Sequence, residues 1–394
     1  MPLDWKPLSG MPVRKFLPLL RNAVEATPDR SDIKVQLARA LLEAGETSEA
    51  IDLLKPHLSD PDAAPQLLFC LGQAAVAQGD DPLALTALRS AATKGAEDAI
   101  DVLASTLRRL GCEDEGIETA LDALNRRPES TEPLRFLATA LCARGELERL
   151  WNLCLDLRAR GAHGGWLAAV MASVAALLGR DDELGRYMDR SKWFLATRLA
   201  VSDDFNRSLA REILADRYAR PMKEGALHGA GARVDHLQRS SNPHTKELLH
   251  RIRAAIDSYV AEREFFSDDP MMAQRPAAVS IKSWSLAVHD DGHASWHVHP
   301  GGWLSGVYYV EVPSLEPAGA GYPGAIEFGP LPFGPHPDAL AAHRWRVMPT
   351  PGLMVVFPSH YAHRTRPTGV KALRISIAFD VLSANAADDA KRSD

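Results

Sequence analysis

The sequence has little cysteine, no long hydrophobic run and no large excess of charge. Its four cysteines, Cys70, Cys112, Cys142 and Cys154, lie in helical patterns without metal-ligand spacing. They are expected to be small buried hydrophobes, which suits a reduced cytoplasm. The longest apolar run, WLAAVMASVAALLG at 166–179, is too short to cross a bilayer and fits a buried helix. MPLDWKPLSGMPVRKFLPLL, at the start, lacks the charged, apolar, small-residue order of a signal peptide. A cytoplasmic protein that does not engage a membrane is the expectation. The formal net charge of −6 gives no electrostatic reason to expect nucleic-acid binding, which depends on neutralising phosphates. What remains is ordinary globular composition, 46% hydrophobic and 24% charged, in 394 residues, enough for two or three domains.

The first half has a period. Gly45, Gly79, Gly111, Gly145 and Gly179 recur at intervals of 32 to 34 residues. Each follows an apolar helical segment, such as LARALLEAG or LATALCARG, and precedes a second amphipathic stretch, such as ETSEAIDLLKPHL. Glycine ends the first helix by taking a left-handed conformation that is costly for other residues. Ala23 and Pro28 repeat the phase of Ala123 and Pro128, which predicts a further half-repeat before residue 31. LLEAGETSEAIDLL resembles the tetratricopeptide repeat, and the resemblance covers about residues 14 to 200. Later units depart from the pattern, with Gly116, Leu150 and Leu184 where a small alanine is usual. Stacked hairpins of this kind leave a concave groove, which implies a peptide or protein partner.

Beyond residue 200 the period stops. DDFNRSLAREILADRYAR predicts a helix starting at Asp203 or Asp204, and TKELLHRIRAAIDSYVAEREFF another with Thr245 as N-cap and Glu247 in its first turn. GALHGAGARVDHLQRSSNPH between them reads as a long loop. From about residue 278 the texture becomes β. VSIKSWSLAVH, SGVYYVEV, AIEF, RWRVM, GLMVVFP and LRISIAF are short runs of strand-forming residues punctuated by Gly and Pro. Such runs predict a compact antiparallel barrel or sandwich. PSLEPAGAGYPG and PLPFGPHPDALAAHRW read as loops near its mouth.

SWHVHPGGWLSGVYYV places His297 and His299 one residue apart beside a strand. Alternate residues of an extended chain point the same way, so both imidazoles share a face. That geometry suits iron, zinc, copper or nickel. His363 follows in GLMVVFPSHYAHRTRP, at the end of an apolar strand and before a polar turn. In LRISIAF, Arg374 and Ser376 face one side while Leu373, Ile375 and Ile377 face the other. A guanidinium inside a barrel must meet an anion, and its fork beside a hydroxyl suits a carboxylate. A salt bridge to a structural Asp or Glu is the alternative.

HVHPGGWLSGVYYV, AIEFGP, PGLMVVFPSHYAHRTRP and LRISIAF together resemble the Fe(II)/2-oxoglutarate-dependent oxygenases of the H-x-H-P…SGVYY type. The resemblance extends back to DDFNRSLAREI and covers about residues 201 to 382. It implies a double-stranded β-helix, with iron held by His297, His299 and His363, and the distal carboxylate of 2-oxoglutarate bound by Arg374 and Ser376. Tyr308 is a further candidate for a cosubstrate hydrogen bond. Most oxygenases of this broad class use two histidines and one carboxylate, and His299 stands where that carboxylate would fall. His289 and Asp291, in HDDGH, form a rival H-x-D pair that could join His363. Glu311 and Glu327 are expected in cross-strand pairs or in solvent contact.

The expected architecture is therefore multidomain α + β: a helical repeat domain over 1–200, then an oxygenase-like domain over 201–394 with a helical lead-in at 201–277 and a β-helix core at 278–382. The expected activity is a dioxygen-consuming hydroxylase acting on a peptide or protein captured by the repeats. Two alternatives stay open on these residues. The oxygenase acts on a small molecule while the repeats bind partners, or three histidines and a water form a zinc hydrolase. The second leaves Arg374 and Ser376 without a role and lacks an evident general base. A repeat scaffold with an inactive barrel is a third reading, opposed by the intact His297, His299, His363 and Arg374 set.

Overall fold

A computed structural model of the chain describes residues 16–221, 226–263, 270, 275–314, 322–334 and 340–383. Parts of the two loops read near the barrel mouth, and of the long loop after residue 224, lie outside the described residues. The chain divides into two compact units, Met1–Arg144 and Gly145–Asp394.

The first unit is built of helices α1 (Leu17–Ala26), α2 (Ser31–Ala44), α3 (Thr47–Leu54), α4 (Pro65–Gln78), α5 (Asp81–Thr93), α6 (Asp98–Arg109), α7 (Glu113–Arg126) and α8 (Thr131–Ala143). Gly45, Gly79 and Gly111 separate successive hairpin helices at φ near +80°, the left-handed turn their spacing predicts. Helix α1 supplies the early half-repeat. Neighbouring hairpins cover one another's apolar faces: Leu37, Leu41, Ala50 and Ala74 form one cluster, and Leu68, Leu88, Leu103 and Leu107 another. Gly116 is smaller than the usual alanine for a local reason, because a Cβ there would stand 3.1 Å from the Phe136 ring and 3.2 Å from the Ala104 carbonyl. Cys70, Cys142 and Cys154 are buried as expected, whereas Cys112 is exposed at the start of α7.

In the second unit α9 (Leu147–Ala159), α10 (Gly165–Leu177), α11 (Asp181–Met188) and the short α12 (Arg190–Trp193) continue the helical pattern. Helix α10 holds the long apolar run and is buried along nearly its whole length. No described helix is long and apolar enough to cross a membrane. The chain then passes directly into strand β1 (Leu195–Arg198), followed by α13 (Asp203–Leu214), β2 (Arg220–Pro221), β3 (Leu227–His228), β4 (Gly231–Val234) and α14 (Pro243–Ala261). The long loop read before α14 thus contains two short strands. The β region holds β5 (Val279–Val288), β6 (His293–Ala294), β7 (Leu304–Glu311), β8 (Ile326–Phe328), β9 (Trp345–Val347), β10 (Leu353–Pro358), β11 (His363–Thr365) and β12 (Arg374–Ser383).

These strands form a double-stranded β-helix. The major antiparallel sheet has the order β1-β10-β7-β12-β5-β4-β2, and the minor one β11-β8-β9. A core of Leu209, Ile213, Leu248, Ile252, Ile375, Ile377 and Phe379 packs α13 and α14 on the outer face of the major sheet. Gly306 of the SGVYY run leaves room for this packing, since a Cβ there would collide with the Phe379 ring. The inner face is left for the site.

Helix α13 begins at Asp203, as expected, and Ser202 caps it by accepting from Phe205 N–H at 3.1 Å. The start of α14 differs from expectation. Thr245 does not cap α14: that helix begins at Pro243, and Glu212 of α13 accepts from the Thr245 and His244 backbone N–H groups at 3.0 and 3.2 Å. A carboxylate from a neighbouring helix thus replaces the local cap and meets the positive end of the helix dipole. Glu212→Ala should lower stability by roughly 1–2 kcal/mol, read as a lower denaturant midpoint; an unchanged midpoint contradicts this role.

Candidate metal centre

Strand parity builds the site. On β12, Arg374, Ser376, Ala378 and Asp380 alternate with outward-facing Ile375, Ile377 and Phe379 and so face inward. A register shift between Ile375 and Ser376 opposite β7 places a bulge beside Arg374. His363 opens β11 as a strand of its own, after a tight turn at 359–362, rather than ending the apolar strand β10. His297 reaches it through a two-way backbone bridge, His297 N–H to His363 O and the reverse, both 3.0 Å.

His297, His299 and His363 converge so that one ligand atom of each lies within 4.8 Å of the others. Their other ring nitrogens are all engaged. Nδ1 of His297 faces the Ser295 carbonyl at 2.7 Å, and Nδ1 of His363 the Tyr361 carbonyl at 3.0 Å. Carbonyls only accept, so each Nδ1 carries the proton and each Nε2 is left with a lone pair. Nδ1 of His299 donates to the Asp380 carboxylate at 2.6 Å, which fixes the same tautomer. Burial and the neighbouring imidazoles hold His297 down at about 4 and His363 well below the usual histidine range. Such rings are lone-pair donors rather than cations, which is what a metal requires.

A cavity of about 350 Å³ runs from these imidazoles to Arg374 and Ser376. Arg374 is 4% exposed, and its Nη1 donates to the Gly324 carbonyl at 3.0 Å and, more weakly, to the Arg366 carbonyl at 3.5 Å; its Nε has no partner among the described residues. Burial lowers its pKa, and no described carboxylate pairs with it. Tyr309 joins it on the cavity wall, its buried hydroxyl without a partner among the described residues and its pKa raised to about 12 by desolvation. A deep cation, a free hydroxyl donor and Ser376 make a receptor for a carboxylate. The imidazoles and this carboxylate receptor line the same cavity.

Three sequence candidates are placed elsewhere. Tyr308 points to the outer face and donates to Asn206 of α13 at 2.6 Å, so the cavity hydroxyl on β7 is its neighbour Tyr309. His289 and Asp291 do not join the histidine cluster: His289 lies beside Asp290, and Asp291 accepts from the Ala230 N–H at 3.0 Å in a turn. Glu327 is fully buried, but it is gripped by Arg346 at 2.7 Å and Arg364 at 2.6 Å; these guanidiniums hold its pKa low against the opposing effect of burial. Glu311 is exposed.

Residues 282–380 match the family model described as "Putative 2OG-Fe(II) oxygenase", and residues 17–68 the one described as "Tetratricopeptide repeat". One region of the chain thus matches tetratricopeptide repeats and another a 2OG-Fe(II) oxygenase domain. The cofactors this family implies are Fe(II) and 2-oxoglutarate, and the donors above fit both: three oriented imidazoles for the ion, and for the diacid a buried guanidinium without a carboxylate partner among the described residues. Among solved structures, a prolyl-4-hydroxylase of Pseudomonas putida is 15% identical, with 55% of this chain and 98% of that one covered at a TM-score of 0.34. A Trichoplax adhaerens prolyl hydroxylase, solved with a hypoxia inducible factor oxygen degradation domain peptide fragment, is 10% identical over 55% and 94%, TM-score 0.35. A tetratricopeptide protein of Thermus thermophilus is 20% identical over 38% and 88%, TM-score 0.30. No curated protein matches the chain.

Asp380 was not evident as a site residue, although it lies on the Arg374 face of the same strand. Its carboxylate also accepts from the Ser305 hydroxyl at 2.6 Å. Through His299 it brings a carboxylate within one side chain of the three-imidazole cluster. Asp380→Ala should weaken Co(II) binding by about 10- to 100-fold, with Asp380→Asn intermediate because it still accepts a hydrogen bond. Equal Co(II) affinity in all three proteins contradicts this.

Proposed function

We propose that the oxygenase domain hydroxylates a peptide or protein segment captured by the repeats. Iron is held by Nε2 of His297, His299 and His363, and the distal carboxylate of 2-oxoglutarate by Arg374, Ser376 and Tyr309. The observation that carries the reading is Arg374, buried in the wall of the histidine cavity with no carboxylate partner among the described residues. A structural role would pair that charge; a cosubstrate site leaves it waiting for one.

When bound, the iron and 2-oxoglutarate supply the oxidation, in which dioxygen is consumed, 2-oxoglutarate becomes succinate and carbon dioxide, and a substrate C–H bond is hydroxylated. The chain's own residues bind, orient and exclude water. Ser295 and Tyr361 carbonyls and the Asp380 carboxylate keep the imidazoles in their ligating tautomer. Trp284 stacks on His299 at 5.7 Å between ring centres, and with Leu286, Val288 and Phe357 gives the cavity an apolar wall. No side chain is required as a nucleophile. The repeats support a peptide substrate because stacked hairpins of this kind generally offer a groove for an extended chain.

Protein loaded with Fe(II) without oxygen should develop a metal-to-ligand charge-transfer band on adding 2-oxoglutarate, and should form succinate on exposure to air. His363→Ala should abolish both. Arg374→Ala should raise the 2-oxoglutarate requirement at least about 30-fold, the equivalent of ~2 kcal/mol for an unpaired buried charge partner. Tightly bound zinc with no response to 2-oxoglutarate contradicts the reading. Turnover in cell lysate should then shift the mass of peptides; altered metabolites alone would overturn the peptide assignment and leave the oxygenase.

A further inference from the structure

We propose that the last helical hairpin of the array, α10 to α12, is a positioning element of the metal centre. The inference rests on the metal reading above. Its basis is a set of contacts, all within the second unit, between that hairpin and the two segments that carry His299 and His363.

The first contact is backbone against backbone. Gly165 opens α10, and a Cβ placed on it would stand 2.9 Å from Pro300 Cα and 3.1 Å from Pro300 O. Pro300 directly follows His299, so the absence of a side chain at Gly165 sets how closely α10 approaches the ligand loop. Nothing flexible lies at this contact: a larger residue must move either the helix or the loop.

The second contact holds the other ligand segment. His360 Nε2 donates to the Tyr187 carbonyl at the end of α11 at 2.7 Å, with both residues buried. Tyr361 donates its hydroxyl to the Asp189 carbonyl at 3.1 Å. Tyr361 in turn supplies the carbonyl that fixes the His363 tautomer. The hairpin end is itself fastened, since the Tyr187 hydroxyl accepts from Arg158 at 2.5 Å and the Asp189 side chain accepts from Ser191 and Lys192 N–H.

The two ligand segments are also bonded to each other. His299 N–H donates to Ser359 O at 3.0 Å, and His297 and His363 exchange their bridge. Displacement of either segment therefore moves the whole set of imidazoles. Ligands need to be held within about half an ångström of their working positions. The hairpin contacts supply such support, and β1, which follows α12, ties the hairpin to β10 in the major sheet.

The test uses the full chain loaded with Co(II), whose visible d–d spectrum reports ligand geometry. His363→Ala must first abolish the wild-type signal, which establishes the site; if wild-type protein gives no such signal, the metal reading fails and this inference with it. Gly165→Val, His360→Ala and His360→Gln are then compared with Leu107→Ala, a core truncation in the first unit. Positioning predicts an altered spectrum and Co(II) affinity weaker by about tenfold or more in folded Gly165→Val and His360→Ala, partial recovery in His360→Gln, and no change in Leu107→Ala. If Gly165→Val does not fold, the His360 pair decides. Wild-type spectrum and affinity in His360→Ala, or an equal change in Leu107→Ala, overturns the proposal while leaving the metal reading intact.

Discussion

A buried guanidinium must be given a counter-charge, and among the described residues the hydrogen bonds of Arg374 go to backbone carbonyls, those of Gly324 and Arg366. That unmet requirement organises the β domain. It places a demand for an anion at one end of a cavity whose other end presents three lone pairs, and the Tyr309 hydroxyl adds a donor with no partner among the described residues. The cost of burying such groups is several kcal/mol if nothing arrives to satisfy them. The fold bears it because the outward residues of the same strand, Ile375, Ile377 and Phe379, are fully buried against the helices behind the sheet.

At the histidine end, hydrogen-bond acceptors orient the rings. Two carbonyls and one carboxylate accept from the Nδ1–H groups, so the ring orientation is fixed before any ion binds. A two-histidine, one-carboxylate site puts an acid on the metal, whereas here a carboxylate, Asp380, stands behind His299 and accepts from its Nδ1. The nearby buried acid on β8, Glu327, is unavailable for that work because two close arginines already hold it.

Much of this was legible in the sequence. Glycines at a regular interval disclose hairpins because only one residue type takes the left-handed turn cheaply, and all five adopt positive φ. Arg374 and Ser376 were assigned one face correctly because LRISIAF alternates polar and apolar residues. The same rule fails on SGVYYVEV, where Tyr308, Tyr309 and Val310 are all buried and alternation says nothing about which hydroxyl faces the cavity. Asp380 follows directly after that LRISIAF run. The apolar Ala378 interrupts the polar face between it and Ser376, and its partner His299 is distant in sequence. The Glu212 cap, the Gly165–Pro300 contact and the two carbonyls that hold the His360 and Tyr361 side chains are likewise tertiary, and no local pattern encodes them.

The most direct measurement is a crystal structure of the protein loaded without oxygen with Fe(II) and 2-oxoglutarate. The account predicts iron on Nε2 of His297, His299 and His363, with the far carboxylate of the diacid against Arg374, Ser376 and the Tyr309 hydroxyl. Iron bound away from these imidazoles, or a diacid whose far end avoids Arg374, would contradict it.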